Sequence, residues 1–181
     1  MTLIILGVAL WWAAHFFKRI APEARARMGE AGKGAVAVAI MLSVVLMVVG
    51  YHGVTHIDVW YPPSFLTHVN NLLMLLAFYF YAASGMKTAI TRKVRHPQLT
   101  GFKTWAVAHL LVNGDLASIL LFGGLLAWAV VEVIVINRAQ PNWTRPAPVP
   151  VSKEIMAVVG AVVVTVVIML IHNWLGVQPW G

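Results

Sequence analysis

The chain has 181 residues, of which 60% are hydrophobic and only 10% charged, with a mean hydropathy of +0.81. A soluble domain carries about 25% charged residues, so this chain could not cover itself in water and lipid is the solvent that fits. Without cysteine, disulfides, thiolate metal sites and cysteine nucleophiles are excluded, and the net charge of +7 is distributed as in membrane loops rather than along a nucleic-acid-binding face.

Residues 2–17 form the first predicted span. No basic residue precedes it and Lys18-Arg19 follow it, the reverse of a secretory signal peptide, so a retained helix is expected. A polar stretch with Pro22, Arg25, Arg27 and Lys33 leads to a second span over 34–51. Pro62-Pro63 end the turn region after it, because proline cannot continue a helix. The third span covers 65–84, and a basic loop runs from Lys87 to His96.

The stretch 99–136 is too long for one crossing of ~20 residues, and Asn113-Gly114-Asp115 interrupts it. A short helix over 99–112, a kink or re-entrant turn, and a fourth span over 116–136 are expected. Residues 140–152 hold four prolines and read as an extracytoplasmic loop, and the last span covers 153–174. The expectation is an all-α polytopic bundle of about five spans in a single membrane domain over 1–181.

Loop charge predicts orientation. Lys18, Arg19, Arg25, Arg27 and Lys33 follow the first span, and Lys87, Arg92, Lys93, Arg95 and Lys103 follow the third. The positive-inside rule places both groups in the cytoplasm, with the N-terminus outside and, after five crossings, the C-terminus inside. A bacterial inner membrane is the expected location. Under that topology His52, His56 and His68 fall outside, and His15, His96, His109 and His172 fall in the inner half.

An ionisable residue inside a span is a functional candidate. Two neutral imidazoles facing each other across a bundle are a natural axial pair for haem iron, and His15 and His109 are placed for it. They read equally as membrane histidines satisfied by hydrogen bonds. Asp115 reads as the N-cap of the helix after the break, or as a carboxylate that orients His109. Glu132 is expected to snorkel and pair with Arg138. His52, His56, Asp58 and His68 resemble a metal-ligand set, although Gly53 and the prolines argue against one continuous helix. Trp60, Tyr61, Tyr79, Tyr81, Trp105, Trp143, Trp174 and Trp180 read as interfacial belts. No phosphate-binding glycine loop and no Ser-His-Asp spacing occurs.

Arg95-His96-Pro97-Gln98-Leu99-Thr100-Gly101, then Trp105, Ala108-His109-Leu110-Leu111 and Asn113-Gly114-Asp115, together resemble the NnrU family. Trp12-Ala13-Ala14-His15 and Leu121-Phe122-Gly123 are similar to it too. That family is named for a link to nitrite and nitric oxide reduction in denitrifying bacteria. It is related to the ζ-carotene isomerase, a haem b membrane enzyme. The resemblance implies haem b on His15 and His109, with His96 as a nearby supporting residue; Arg95 is a further candidate beside it, and Asn113 and Asp115 at the helix break are expected to orient or wall the site. It does not carry over the isomerase reaction, since fold and cofactor can be shared while the chemistry differs; isomerase-like or gas-binding chemistry at the haem is expected only if one axial ligand leaves. The lipid bilayer and a respiratory membrane protein are the expected partners, and no nucleic acid is expected. A non-enzymatic accessory or assembly subunit is the alternative class.

Arg95-His96-Pro97 with Gly101 is also similar to a block of the isoprenylcysteine methyltransferases, which use S-adenosylmethionine. Leu99 replaces that block's tyrosine, and no acidic partner motif follows near the C-terminus, which leaves an S-adenosylmethionine-dependent membrane methyltransferase as a second alternative, weakened by both departures.

Overall fold

The computed structural model describes Met1–Trp180, and among the described residues it is all helical with no strand. The helices are α1 (Thr2–Ile20), the short α2 (Pro22–Arg27), α3 (Ala31–His52), α4 (Leu66–Met86), α5 (Pro97–Val112), α6 (Leu116–Ser118), α7 (Gly124–Ala139) and α8 (Val151–Trp174). A π-turn, Ile119–Gly123, joins α6 to α7 in one continuous rod, and a 3₁₀ turn, Ala89–Arg92, precedes α5. Five stretches are long and apolar enough to cross a membrane: α1, α3, α4, Leu116–Ala139 and α8.

Their surfaces fit lipid. Val38, Met41, Val45, Val48 and Val49 of α3, and Val158, Val159, Val162, Val163 and Val166 of α8, are exposed. Buried positions go instead to small or polar residues such as Ser43, Ala77, Ala106, Ser118, Ala157 and Ala161. This is how membrane helices approach one another, since lipid gives apolar side chains no reason to turn inward.

The chain falls into two compact units. The first comprises Met1–Trp60 and Asp115–Leu125. Here α1 and α3 run antiparallel and very close, because Gly7 faces Met47 and the Ser43 carbonyl while Gly50 faces Leu3 and the Ile4 amide. Beyond α3 the chain extends, and the Ile57 carbonyl accepts from the Leu116 amide at 2.9 Å. Lys18, Arg19, Arg25, Arg27 and Lys33 all lie at the opposite end, where α1 turns into α3.

The second unit comprises Tyr61–Gly114 and the chain from Leu126 onward. In it α4 packs against both α5 and α8. Gly101 of α5 lies against the Ala77 carbonyl, an approach that a side chain would obstruct. Five hydrogen bonds fix the directions. His96 Nε2 meets Asn137 Oδ1 at 2.8 Å, and Arg95 donates to the Gln140 and Pro141 carbonyls, so the start of α5 lies beside the end of α7. The Ala89 amide donates to Glu154 Oε1 at 2.5 Å, and Asn71 Nδ2 donates to the Pro179 carbonyl at 2.7 Å, so α8 runs antiparallel to α4.

These contacts correct the topology expected from charge. The helix α5 extends ~24 Å over its 16 residues, and the chain turns back after it, which is the re-entrant form of the expected break rather than a simple kink. Residues 140–150 therefore lie at the same end of this unit as Lys87–His96, not at the other. The C-terminal tail lies at the end where α4 begins. The five apolar stretches are the candidate spans, and α5 is a shorter helix in addition to them. Within each unit every lysine and arginine is gathered toward one end.

Candidate functional site

His15 and His109 are built alike. Each follows a tryptophan by four residues, Trp11 and Trp105, and helical spacing sets the pair on one face. His15 Nδ1 donates to the Trp11 carbonyl at 2.8 Å, and His109 Nδ1 donates to the Trp105 carbonyl at 2.9 Å. A carbonyl can only accept, so Nδ1 carries the proton and Nε2 is the basic nitrogen of the neutral ring. Each imidazole also lies against its tryptophan, with ring centroids 4.3 Å apart at Trp11 and 5.2 Å at Trp105. Trp105 is thus part of this arrangement, and it also packs on Phe102, rather than serving an interfacial belt.

The two histidines occupy different levels within their units. His15 is five residues before the end of α1, ~8 Å from the basic end of the first unit. His109 is twelve residues into α5, ~18 Å from the basic end of the second. His109 and His172 both lie toward the ends of their helices remote from the basic residues of the second unit.

Asn113 and Asp115 serve the break between α5 and α6. Asn113 Nδ2 donates to the His109 carbonyl at 2.8 Å and so closes the end of α5 at the histidine itself. Asp115 N-caps α6: Oδ1 accepts from the Ser118 amide at 2.9 Å and Oδ2 from the Ser118 hydroxyl at 2.5 Å. With its proton given to Asp115, the Ser118 hydroxyl accepts from Tyr51 at 2.8 Å. The ring nitrogen that an orienting carboxylate would take on His109 is held by Trp105 instead, and the capping role of Asp115 is the one observed. Burial alone would raise the Asp115 carboxyl, but the Ser118 hydroxyl and amide, helped by His56, hold it below its ordinary range.

Arg95 and His96, expected beside the cofactor, join α5 to the end of α7 through Gln140, Pro141 and Asn137. Glu132 does not pair with Arg138. Its Oε2 is buried without a hydrogen-bond partner. His56 pairs only with Asp58, at 2.9 Å on the surface, and among the described residues no three His, Asp or Glu side chains gather as a metal would need.

Sequence reasoning missed Trp12. Its indole Nε1 donates to the Gly124 carbonyl at 3.1 Å, tying α1 to the residue after the π-turn. The paired tryptophan-to-histidine spacing was also there to be found.

The donor chemistry fits a haem iron. Two imidazoles with Nδ1 anchored to main-chain carbonyls present Nε2, the nitrogen and tautomer that an axial ligand uses. The sequence model of one protein family, described as NnrU protein, matches residues 3–179. No curated protein and no solved structure matches the chain.

Proposed function

Because the chain belongs to the NnrU family, we propose that it is a haem b-binding membrane protein acting in or beside nitrite and nitric oxide reduction, with His15 and His109 as axial ligands. The supporting observation is the twin geometry of the two histidines, each with Nδ1 tied to a tryptophan carbonyl one turn earlier. That bond fixes the tautomer and ring direction of a ligand before any iron arrives. Asn113 holds the end of α5 closed at His109, so this ring sits on a rigid terminus rather than a frayed one. A haem there would supply one-electron chemistry or, with one axial position vacated, a site for a small gas or a polyene double bond.

The charge distribution supports an orientation for the same reading. Applied to each unit by itself, the positive-inside rule favours its basic end in the cytoplasm of a bacterial inner membrane, with the N-terminus outside.

The deciding experiment is an absorption spectrum of detergent-purified protein, made with ample haem supply, oxidised and then dithionite-reduced. A sharp reduced band pair that is lost in both His15→Ala and His109→Ala is expected. A featureless spectrum would overturn the haem reading and leave the accessory-subunit and methyl-transfer readings.

A further inference from the structure

Near the basic end of the first unit a groove of about 240 Å³ opens between α1 and α3, lined by Ala13, Ala14, Phe17, Ala35, Val36 and Ala39. It is smaller than the ~300–1,000 Å³ of a typical small-molecule pocket. No lining side chain can hydrogen-bond, so the groove suits a stretch of hydrocarbon. On α1 it lies roughly 150° around the helix from His15, which separates it from the histidine face.

Its rim is cationic. Lys18 stands one turn beyond Ala14 on α1. Arg25 reaches back over Gly32, one turn before Val36 on α3, and a Cβ at Gly32 would come 2.6 Å from Arg25 Nη1. The missing side chain therefore makes room for the guanidinium, which also donates to the Gly29 carbonyl at 2.9 Å. The two acids of this end are engaged elsewhere, Glu23 with Arg27 and Glu30 with Lys33. No carboxylate among the described residues pairs with Lys18 or Arg25.

We propose that this groove holds one acyl chain of an anionic phospholipid whose phosphate is bound by Lys18 and Arg25. Charge complementarity selects the occupant. A phosphate matches an arginine fork and a lysine point charge. A zwitterionic lipid would bring its own ammonium group toward the same two cations, whereas a singly anionic glycerol headgroup would not.

The test is native mass spectrometry of the full chain released from nanodiscs of phosphatidylcholine alone or of an equimolar mixture with phosphatidylglycerol. One phosphatidylglycerol should stay bound, and phosphatidylcholine should not. Changing Lys18 and Arg25 together to alanine should weaken retention by on the order of tenfold or more. Ala35→Leu, at an exposed position inside the groove, should displace the lipid with both cations intact, while Ala37→Leu, exposed and on the other side of α3, should not. Equal retention in Ala35→Leu and Ala37→Leu would reduce the effect to general attraction by a basic surface and overturn the proposal. Equal retention of phosphatidylcholine would overturn it as well.

Discussion

Trp12 hydrogen-bonds the Gly124 carbonyl from across 112 residues of sequence, and Val8, one turn earlier on α1, lies against the same glycine. Val8, Trp12 and His15 share a face of α1, so this contact sets the rotation at which the helix presents His15. Trp12→Phe keeps the ring and removes the donor. It should cost about 1 kcal/mol in thermal or denaturant unfolding in detergent. In haem-loaded protein it should also change the electron-paramagnetic-resonance signature of the ferric iron, a readout that lost packing elsewhere would not move.

Asp115 gives the fold an acid limb. Its native pKa lies below the ordinary 3.8, so its contribution is present in full above that value. It is lost as pH falls through the lower native value, because the unfolded carboxylate takes up a proton first. Asp115→Asn can still cap but cannot titrate. Below about pH 4 its unfolding curve should depend less on pH than that of the wild type, while Asp115→Ala should lose about 1 kcal/mol at neutral pH.

Topology can be read by single-cysteine labelling, since the natural chain has none. Arg92→Cys and Asn142→Cys should react from the same side of the membrane, and Gln178→Cys from the other. A five-crossing chain would instead separate position 92 from 142 and place 178 with 92.

Glycines where helices nearly touch should not tolerate a methyl group. At Gly7 a Cβ would come 2.6 Å from Met47 Cγ and 2.8 Å from the Ser43 carbonyl, and at Gly50 it would come 2.8 Å from the Ile4 amide. Alanine at either should destabilise by ~1–3 kcal/mol. Gly160→Ala in α8, with nothing within 4 Å, should stabilise by ~0.5–1 kcal/mol. Melting the three variants in one detergent checks both signs.

The long helices were legible because hydropathy and length alone decide them, and the break at Asn113-Gly114-Asp115 was legible because its residues are poor helix interiors. The helix α5 was recognised, but whether the chain kinks or turns back after it was not legible. Gln98, Thr100, Lys103 and Thr104 dilute its hydropathy, and nothing local gives the direction of the helix that follows. Arg138, Arg145 and Lys153 in and around the 140–152 loop were the signal, since turning back brings them to the end of this unit that holds its other cations. Glu132 and Arg138 are six residues apart, which places them on different faces of a helix, so their pairing was never geometrically favoured. The anchors of Arg95 and His96 lie more than forty residues away, and no local pattern points to them.

The π-turn at Ile119–Gly123 makes the last part of Leu116–Ala139 a phase-shifted continuation of the first. A π-turn holds about one residue more than an α-turn, and each helical residue advances the rotation by ~100°. Closing it by deleting one leucine would leave a regular, equally apolar helix that hydropathy could not distinguish from the original. Because the α-turn so formed makes nearly the same rotation with one residue fewer, the side chains beyond it would keep close to their present directions, Trp128 against Phe102 and Asn137 beside His96. The rod thus carries one spare residue at 119–123: a single lost codon there should be far milder than two, the second of which would turn Trp128 and Asn137 by ~100° from their partners.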